Sequence, residues 1–191
     1  MSNAKKQAPA AKPQDAGAAL MVRLTVTLFA ICAVCALLLG LVNAATAERI
    51  DQVAAEKKKA AMSAVLAAES YEQVAYTGSD ATIVEAYKAG DAGYVLQVAP
   101  SGSFGGGLAI MVGVNSDMTV SGVEIVASSE TSGLGANAKK PAFRDQFTGK
   151  SGEVKVTKDG GEIDALTGAT ITSRAVSAGV TSALAAAATL D

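Results

Sequence analysis

The sequence predicts an α+β fold preceded by a single transmembrane helix, on three observations. Leu24 to Val42, LTVTLFAICAVCALLLGLV, is 19 residues without a charge. Between Thr82 and Ala127, runs rich in β-branched and aromatic residues alternate with Gly- and Asp-containing turns, the pattern of antiparallel hairpins. Near the end, Val176, Val180, Ala183, Leu184 and Ala187 recur at i, i+3/i+4 spacing, which gives a helix one apolar stripe. A chain of 191 residues suits one domain plus appendages. The expected organisation is a cytoplasmic tail at 1–23, a transmembrane helix at 24–42, a helical connector at 43–70 and one domain with antiparallel strands at 71–191.

The apolar run accounts for the mean hydropathy of +0.31, high for a soluble domain. As a helix it would be about 28 Å long, close to the hydrocarbon thickness of a bilayer. Its hydroxyls, Thr25 and Thr27, can bond back to helical carbonyls, and Arg23 stands at its edge, where it can snorkel to the interface. A cleaved signal peptide is the alternative, with Ala45-Thr46-Ala47 in the form of a cleavage site. The run is longer than a usual signal core, which favours a retained anchor. Lys5, Lys6, Lys12 and Arg23 precede the run, and Arg49, Lys57, Lys58 and Lys59 follow it. The charges nearly tie, and the later cluster begins well past the span, which tilts the orientation toward a C-terminal domain on the outer face. Cys32 and Cys35 lie one turn apart inside the run. They read as small helix-packing residues or, alternatively, as two ligands to an iron centre completed by another subunit. No other metal site is expected.

The tail, rich in Ala, Lys, Gln and Pro, reads as disordered through residue 18. Ala44 to Ser70 is dominated by Ala, Glu and Lys and reads as helical, with Lys57-Lys58-Lys59 as a solvated face or a headgroup contact. Strands are expected at Thr82–Lys88, Tyr94–Ala99, Leu108–Val114 and Val120–Ala127, with LAIMVGV suited to a buried strand. A short helix opens near Pro141 and runs to Phe147, Val154 to Val156 reads as a brief strand, and the last helix is expected over Ser173–Leu190.

The chain has no histidine and no tryptophan. The absence of histidine excludes a Ser-His-Asp triad, a Cys-His pair, His-ligated zinc and an HExxH protease. A net charge of −2 offers no footprint for nucleic acid. Two loops combine glycine with hydroxyls. Glu130-Thr131-Ser132-Gly133-Leu134-Gly135-Ala136 lets backbone approach a flat ligand, or is only a flexible loop. Asp164-Ala165-Leu166-Thr167-Gly168-Ala169-Thr170 runs into the last helix, whose N-terminus suits a phosphate, with Arg174 able to add a cation. The alternative there is structural, with Thr172 or Ser173 an ordinary N-cap and Gly168 a turn residue.

DALTGATITS resembles the D-x-x-[ST]-G-A-T-x-[ST] motif of covalently flavinylated FMN-binding domains. FGGGLAIMVGVNSDMTVSGVEIVASSETSGLGANA is similar to the Gly-rich loop, strand pair and E-T-P-G-L-G loop of that family, with Ser132 in place of the usual Pro. With the RLTVTLF span and the ATAERI that follows, the likeness extends over residues 22 to about 185. The pattern resembles the G subunits of Rnf electron-transport complexes and, more distantly, the longer C subunits of sodium-pumping NADH:quinone reductases.

The resemblance implies FMN joined through its phosphate to Thr170 by a separate flavin transferase. Asp164, Thr167, Gly168 and Ala169 would form the recognition sequence, and Glu130, Thr131, Gly133, Leu134 and Gly135 would line the isoalloxazine site. It implies an electron-carrying subunit of an ion-translocating ferredoxin–NAD oxidoreductase at the cell membrane. Its partners would be other membrane and redox subunits, and it would have no independent catalytic activity. Outside the cytoplasm free FMN is scarce, so a covalent link makes its local concentration independent of supply. The alternatives are a stand-alone exported flavoprotein and a membrane-anchored binding domain with no redox role.

Overall fold

The computed structural model describes the backbone of residues 13–190 and the side chains of 17–190. The N-terminal part of the expected disordered tail, residues 1–12, lies outside the described residues, and residues 13–18 are already helical. The chain divides into two compact units, one running to Val53 and the other from Ala54 onward.

Helix α1, Pro13–Val65, is continuous, so the span and most of the expected connector form one element. In the first unit every large apolar side chain from Leu20 to Val42 is more than half exposed. A soluble domain would bury such a surface, and a helix of this length and composition can cross a membrane. Thr25 and Thr27 donate to the carbonyls of Met21 and Arg23, at 2.9 and 2.8 Å, so no hydroxyl is left unpaired in that stretch. Cys32 and Cys35 are free and exposed on the helix surface.

The second unit is built on a five-stranded antiparallel meander in sequence order. Its strands are β1 Glu72–Val74, β2 Ile83–Lys88, β3 Gly93–Val98, β4 Ala109–Asn115 and β5 Val120–Ala127. The four expected strands are present within a residue of their expected ends. The short edge strand β1 has no alternation to betray it. Val156 makes a single parallel bridge to Ile163, not a strand over 154–156.

Side chains on one face of the sheet, among them Leu96, Val98, Ile110, Val112 and Val114, pack against Val176, Val180, Ala183 and Leu184 of α3, Thr170–Ala187. Phe143 and Phe147 complete this core, their rings edge to face with centroids 5.3 Å apart. Phe143 lies in α2, Pro141–Arg144, and Phe147 in the 3-10 turn that follows. The opposite face presents Val95 and Met111 to Ala61, Met62 and Val65 at the end of α1 and to Leu66 just after it. Coverage on both faces explains why β4 reads as an unbroken apolar run.

Glycine makes that second contact possible. Gly113 and Gly122 face each other across β4 and β5. A Cβ on Gly113 would lie 2.5 Å from the Val65 carbonyl oxygen, so only glycine admits the helix end there. The end of α1 is tied down by side chains: Ser121 donates to Val65 O at 2.5 Å, and Tyr71 donates to O of Leu66, the residue after the helix, at 2.7 Å. Lys58 pairs with Glu85 and stands 5.1 Å from the Tyr87 ring centroid. One member of the lysine run is therefore a packing element and not a solvated face.

Candidate functional site

The site forms where three loops meet the start of α3. The loop 128–134 leaves β5 and turns back on itself, with Leu134 and Ala136 N–H both donating to Thr131 O at 3.2 Å. Glu130 fixes its position. One carboxylate oxygen accepts from the Thr172 hydroxyl at 2.7 Å, the other from the Gly105 N–H at 3.2 Å. Glu130 thus ties the Gly-rich loop, the 128–134 loop and α3 together, and its carboxylate is engaged within the protein. Gly135 lies under this bond, and a Cβ there would come within 2.6 Å of both Glu130 Oε2 and Thr172 Oγ1.

The third loop carries the T-G-A-T motif. Gly168 has φ of 75°, a left-handed turn that lets the chain enter α3 directly. Ser173 locks it: its hydroxyl donates to Ala169 O and accepts from Leu166 N–H, each at 3.0 Å. Asp164 is exposed, and its N–H donates to Gln146 Oε1 at 2.7 Å. Thr167 is exposed.

Helix α3 begins at Thr170 with Ala169 in the cap position and no side-chain cap. The expected start at Ser173 and the expected capping by Thr172 or Ser173 are therefore corrected. Both are buried, and their hydroxyls bond to Glu130 and Ala169 instead. Without a cap, the first N–H groups of α3 have no partner inside the helix, and the dipole places positive potential there. The half-buried Thr170 hydroxyl stands at this end, 3.2 Å from Lys158 Nζ.

Arg174 does not take the expected role. It makes a two-pronged bond to Asp159, Nε to Oδ2 and Nη2 to Oδ1, both at 2.6 Å. This guanidinium holds the Asp159 carboxyl below the usual carboxylate range. The cation that reaches Thr170 is Lys158, which no spacing rule in the sequence singles out.

A cleft of about 160 Å³ lies beside the motif, lined by Glu130, Thr131, Leu134, Gly135, Gly168, Ala169, Phe104, Ile171 and Thr172. Six of the residues implied by the resemblance therefore meet there. Gly133, Asp164, Thr167 and Thr170 are outside the lining, with Thr170 next to Ala169 at its edge. Phe104 and Ile171, which lie in the family-like stretches but had no expected role, join them. Phe104, Leu134 and Ile171 are 71%, 44% and 48% exposed, so the mouth of the cleft is apolar. An apolar slot with glycine backbone beside an uncapped helix start fits a planar ring linked to a phosphate.

The sequence matches known families over two stretches. Residues 103–185 match the FMN-binding domain family and residues 19–65 the RnfG N-terminal region. The G subunit of the Na(+)-translocating ferredoxin:NAD(+) oxidoreductase complex of Acetobacterium woodii is 33% identical over 84% of this chain and 88% of its own. The G subunit of the ion-translocating oxidoreductase complex of Methanosarcina acetivorans is 36% identical over 82% of this chain and 88% of its own. A crystal structure of the C subunit of Na(+)-translocating NADH-quinone reductase from Parabacteroides distasonis is 28% identical, with a TM-score of 0.42, over 53% of this chain and 58% of that one. The long apolar helix, the FMN-binding domain and the two sequence relatives place the chain in the family of G subunits of ion-translocating oxidoreductase complexes.

Proposed function

We propose that this chain is the electron-carrying flavoprotein of such a complex, with FMN held as a phosphodiester on the Thr170 hydroxyl. The observation that carries the reading is Thr170 itself. Its hydroxyl is the first of an uncapped helix, beside a cation and at the edge of an apolar cleft.

The cleft also gives a reason for a covalent link. Pockets that enclose a ligand hold about 300–1,000 Å³. This one holds about 160 Å³ and would cover only part of a flavin. A partly covered ligand gains little affinity from burial, and a tether removes the need for it. The uncovered part stays open to electron-transfer partners. When bound, the flavin supplies the electron-carrying chemistry. The chain binds and orients it: Phe104, Leu134 and Ile171 offer apolar surface to the ring, and the first N–H groups of α3 with Lys158 face the phosphate charge.

Esterification of a hydroxyl needs an activated donor. The Thr170 oxygen would form a bond to the flavin phosphorus of a flavin phosphoanhydride. The anhydride P–O bond would break, the nucleoside monophosphate on its far side would leave, and the hydroxyl proton would pass to a base of the flavin transferase. Asp164, Thr167, Gly168 and Ala169 would be read by that enzyme, and Glu130, Thr131, Gly133, Leu134 and Gly135 would shape the ring site. The partners are the other membrane and redox subunits. The domain, proposed to span residues 71–191, would lie on the outer face of the cell membrane, carried by the span at 24–42 and the connector at 43–70, with 1–23 inside.

The test is a peptide map of the full chain produced with the flavin transferase. In Thr170→Val the FMN-bearing peptide should vanish while the circular dichroism of the folded chain is kept. Persistence of that peptide in Thr170→Val, with its loss in Thr172→Val, would overturn the attachment assignment.

A further inference from the structure

We infer that Lys158 is the positioning residue that selects Thr170 for flavin attachment and then neutralises the phosphodiester formed there. The inference rests on the attachment proposed above and names the side chain that directs it. Four hydroxyls crowd the motif, at Thr167, Thr170, Thr172 and Ser173. Thr172 and Ser173 are buried, and each donates its proton to a protein oxygen, Glu130 Oε2 and Ala169 O. Thr167 is exposed on the loop, three residues before the helix. Thr170 differs in kind, because its oxygen accepts a bond from an ammonium group. Its own proton remains available to a base, and negative charge developing on the oxygen is met by the lysine.

The lysine is held where it is needed. It sits in the 3-10 turn Thr157–Asp159, between two anchors. On one side Thr157 N–H donates to Ile163 O at 2.8 Å. On the other, the carboxylate of Asp159 is gripped by both prongs of Arg174, one turn along the helix that Thr170 begins. The turn bearing Lys158 and the acceptor hydroxyl are thereby fastened to the same helix. In the transfer, the Thr170 Oγ–P bond forms as the anhydride P–O bond breaks and adenosine monophosphate leaves. The proton goes to the transferase base, and Lys158 keeps its own protons throughout. The product phosphodiester carries one negative charge beside the ammonium.

The experiment uses the full chain in detergent micelles, the flavin transferase and flavin adenine dinucleotide as the phosphoanhydride donor. Intact mass follows FMN addition over time at several chain concentrations. Lys158→Gln keeps a donor but removes the charge. The rate constant at saturating chain should fall at least about tenfold, the loss of one charge-assisted hydrogen bond, with KM for the chain within about twofold. Lys158→Arg should recover most of the rate, which loss of a merely structural contact would not allow. In fully loaded protein, the phosphorus-31 resonance of the phosphodiester should shift in Lys158→Gln. If the wild-type chain is loaded and Lys158→Gln is loaded equally fast, the inference falls and the attachment stands. If the loss lies wholly in KM, Lys158 is a docking contact for the transferase and the inference also falls. If the wild-type chain takes up no flavin, the proposed attachment falls and takes the inference with it.

Discussion

Replacing Thr172 with Val tests the bond that holds the three loops of the site together. The change keeps the shape of the side chain and removes one oxygen. Thr172 is 1% exposed and Glu130 9%, so water cannot readily replace the lost partner. Glu130 Oε1 keeps the Gly105 N–H at 3.2 Å, while Oε2 loses its 2.7 Å donor. A hydrogen bond to a charged group contributes about 1.5–3 kcal/mol, and no cavity is created, so the expected loss is about 2 kcal/mol. For a folded unit of this size that lowers Tm by roughly 4–8 °C. The assay is thermal unfolding of the full chain in detergent, followed by circular dichroism, with and without Glu130→Leu. In the Glu130→Leu background the Thr172→Val penalty should nearly disappear, because no carboxylate is left to strand. A Tm within about 1 °C of wild type, or an equal penalty in both backgrounds, would refute the reasoning. Under the proposed attachment, flavin on Thr170 should persist, since the altered hydroxyl is already committed to Glu130.

Cys32→Ala with Cys35→Ala should leave the transition of the FMN-binding unit and its flavin content unchanged, because neither cysteine belongs to that unit; loss of flavin in the intact-mass spectrum would contradict this. A membrane-impermeant amine label applied to cells with any outer envelope opened should reach the exposed Lys139 before Lys5 and Lys6, and the reverse order would overturn the proposed orientation. Hydrogen bonds hold Asp159, Asp80, Asp117, Glu85 and Glu162 below their usual carboxylate range, from Arg174, Thr82, Thr119, Lys58 and Lys150 respectively. A group whose pKa is lowered by folding stabilises the fold fully above its unfolded value and loses that contribution as pH falls through the folded one. Tm measured from neutral pH downward should therefore hold until about pH 5 and then decline, and the decline should be smaller in Asp159→Asn; a flat profile would contradict the sign.

What the sequence disclosed and what it hid divide by the range of the forces involved. LAIMVGV is apolar without interruption because the sheet is covered on both faces, so β4 was legible from composition alone. The T-G-A-T motif was legible because four adjacent residues carry it. The start of α3 was misread for an instructive reason. Thr172 and Ser173 are good capping residues by type, but their hydroxyls are claimed by Glu130, 42 residues earlier, and by the Ala169 carbonyl. The pairing of Gly113 with Gly122, which admits the end of α1, looks in sequence like two glycines in strands. Lys158 reaches the site across a loop, and no local pattern marks it, while Phe104 opens the Gly-rich stretch without its contact with the cleft being readable there.

The polar groups of this unit follow a single logic. A protein that performed its own chemistry would leave its acids and hydroxyls open to substrate. Here the buried acid and two of the three buried hydroxyls among the described residues are spent on joining loops: Glu130 to Thr172 and Gly105, and Ser173 to Ala169 and Leu166. At the mouth of the cleft the surface is Phe104, Leu134 and Ile171, side chains that cannot donate a proton or attack a bond. At the helix start, Thr170 alone among the motif hydroxyls accepts a bond from a cation. That division suits a protein whose reactive group is borrowed: the joined loops would fix where a flavin lies, and under the proposed attachment the Thr170 oxygen would retain it. It also explains how an electron-transfer protein does without histidine. With the redox chemistry in the cofactor, the chain's task reduces to orientation and retention, which in the proposed reading fall to backbone, glycine, Lys158 and Thr170.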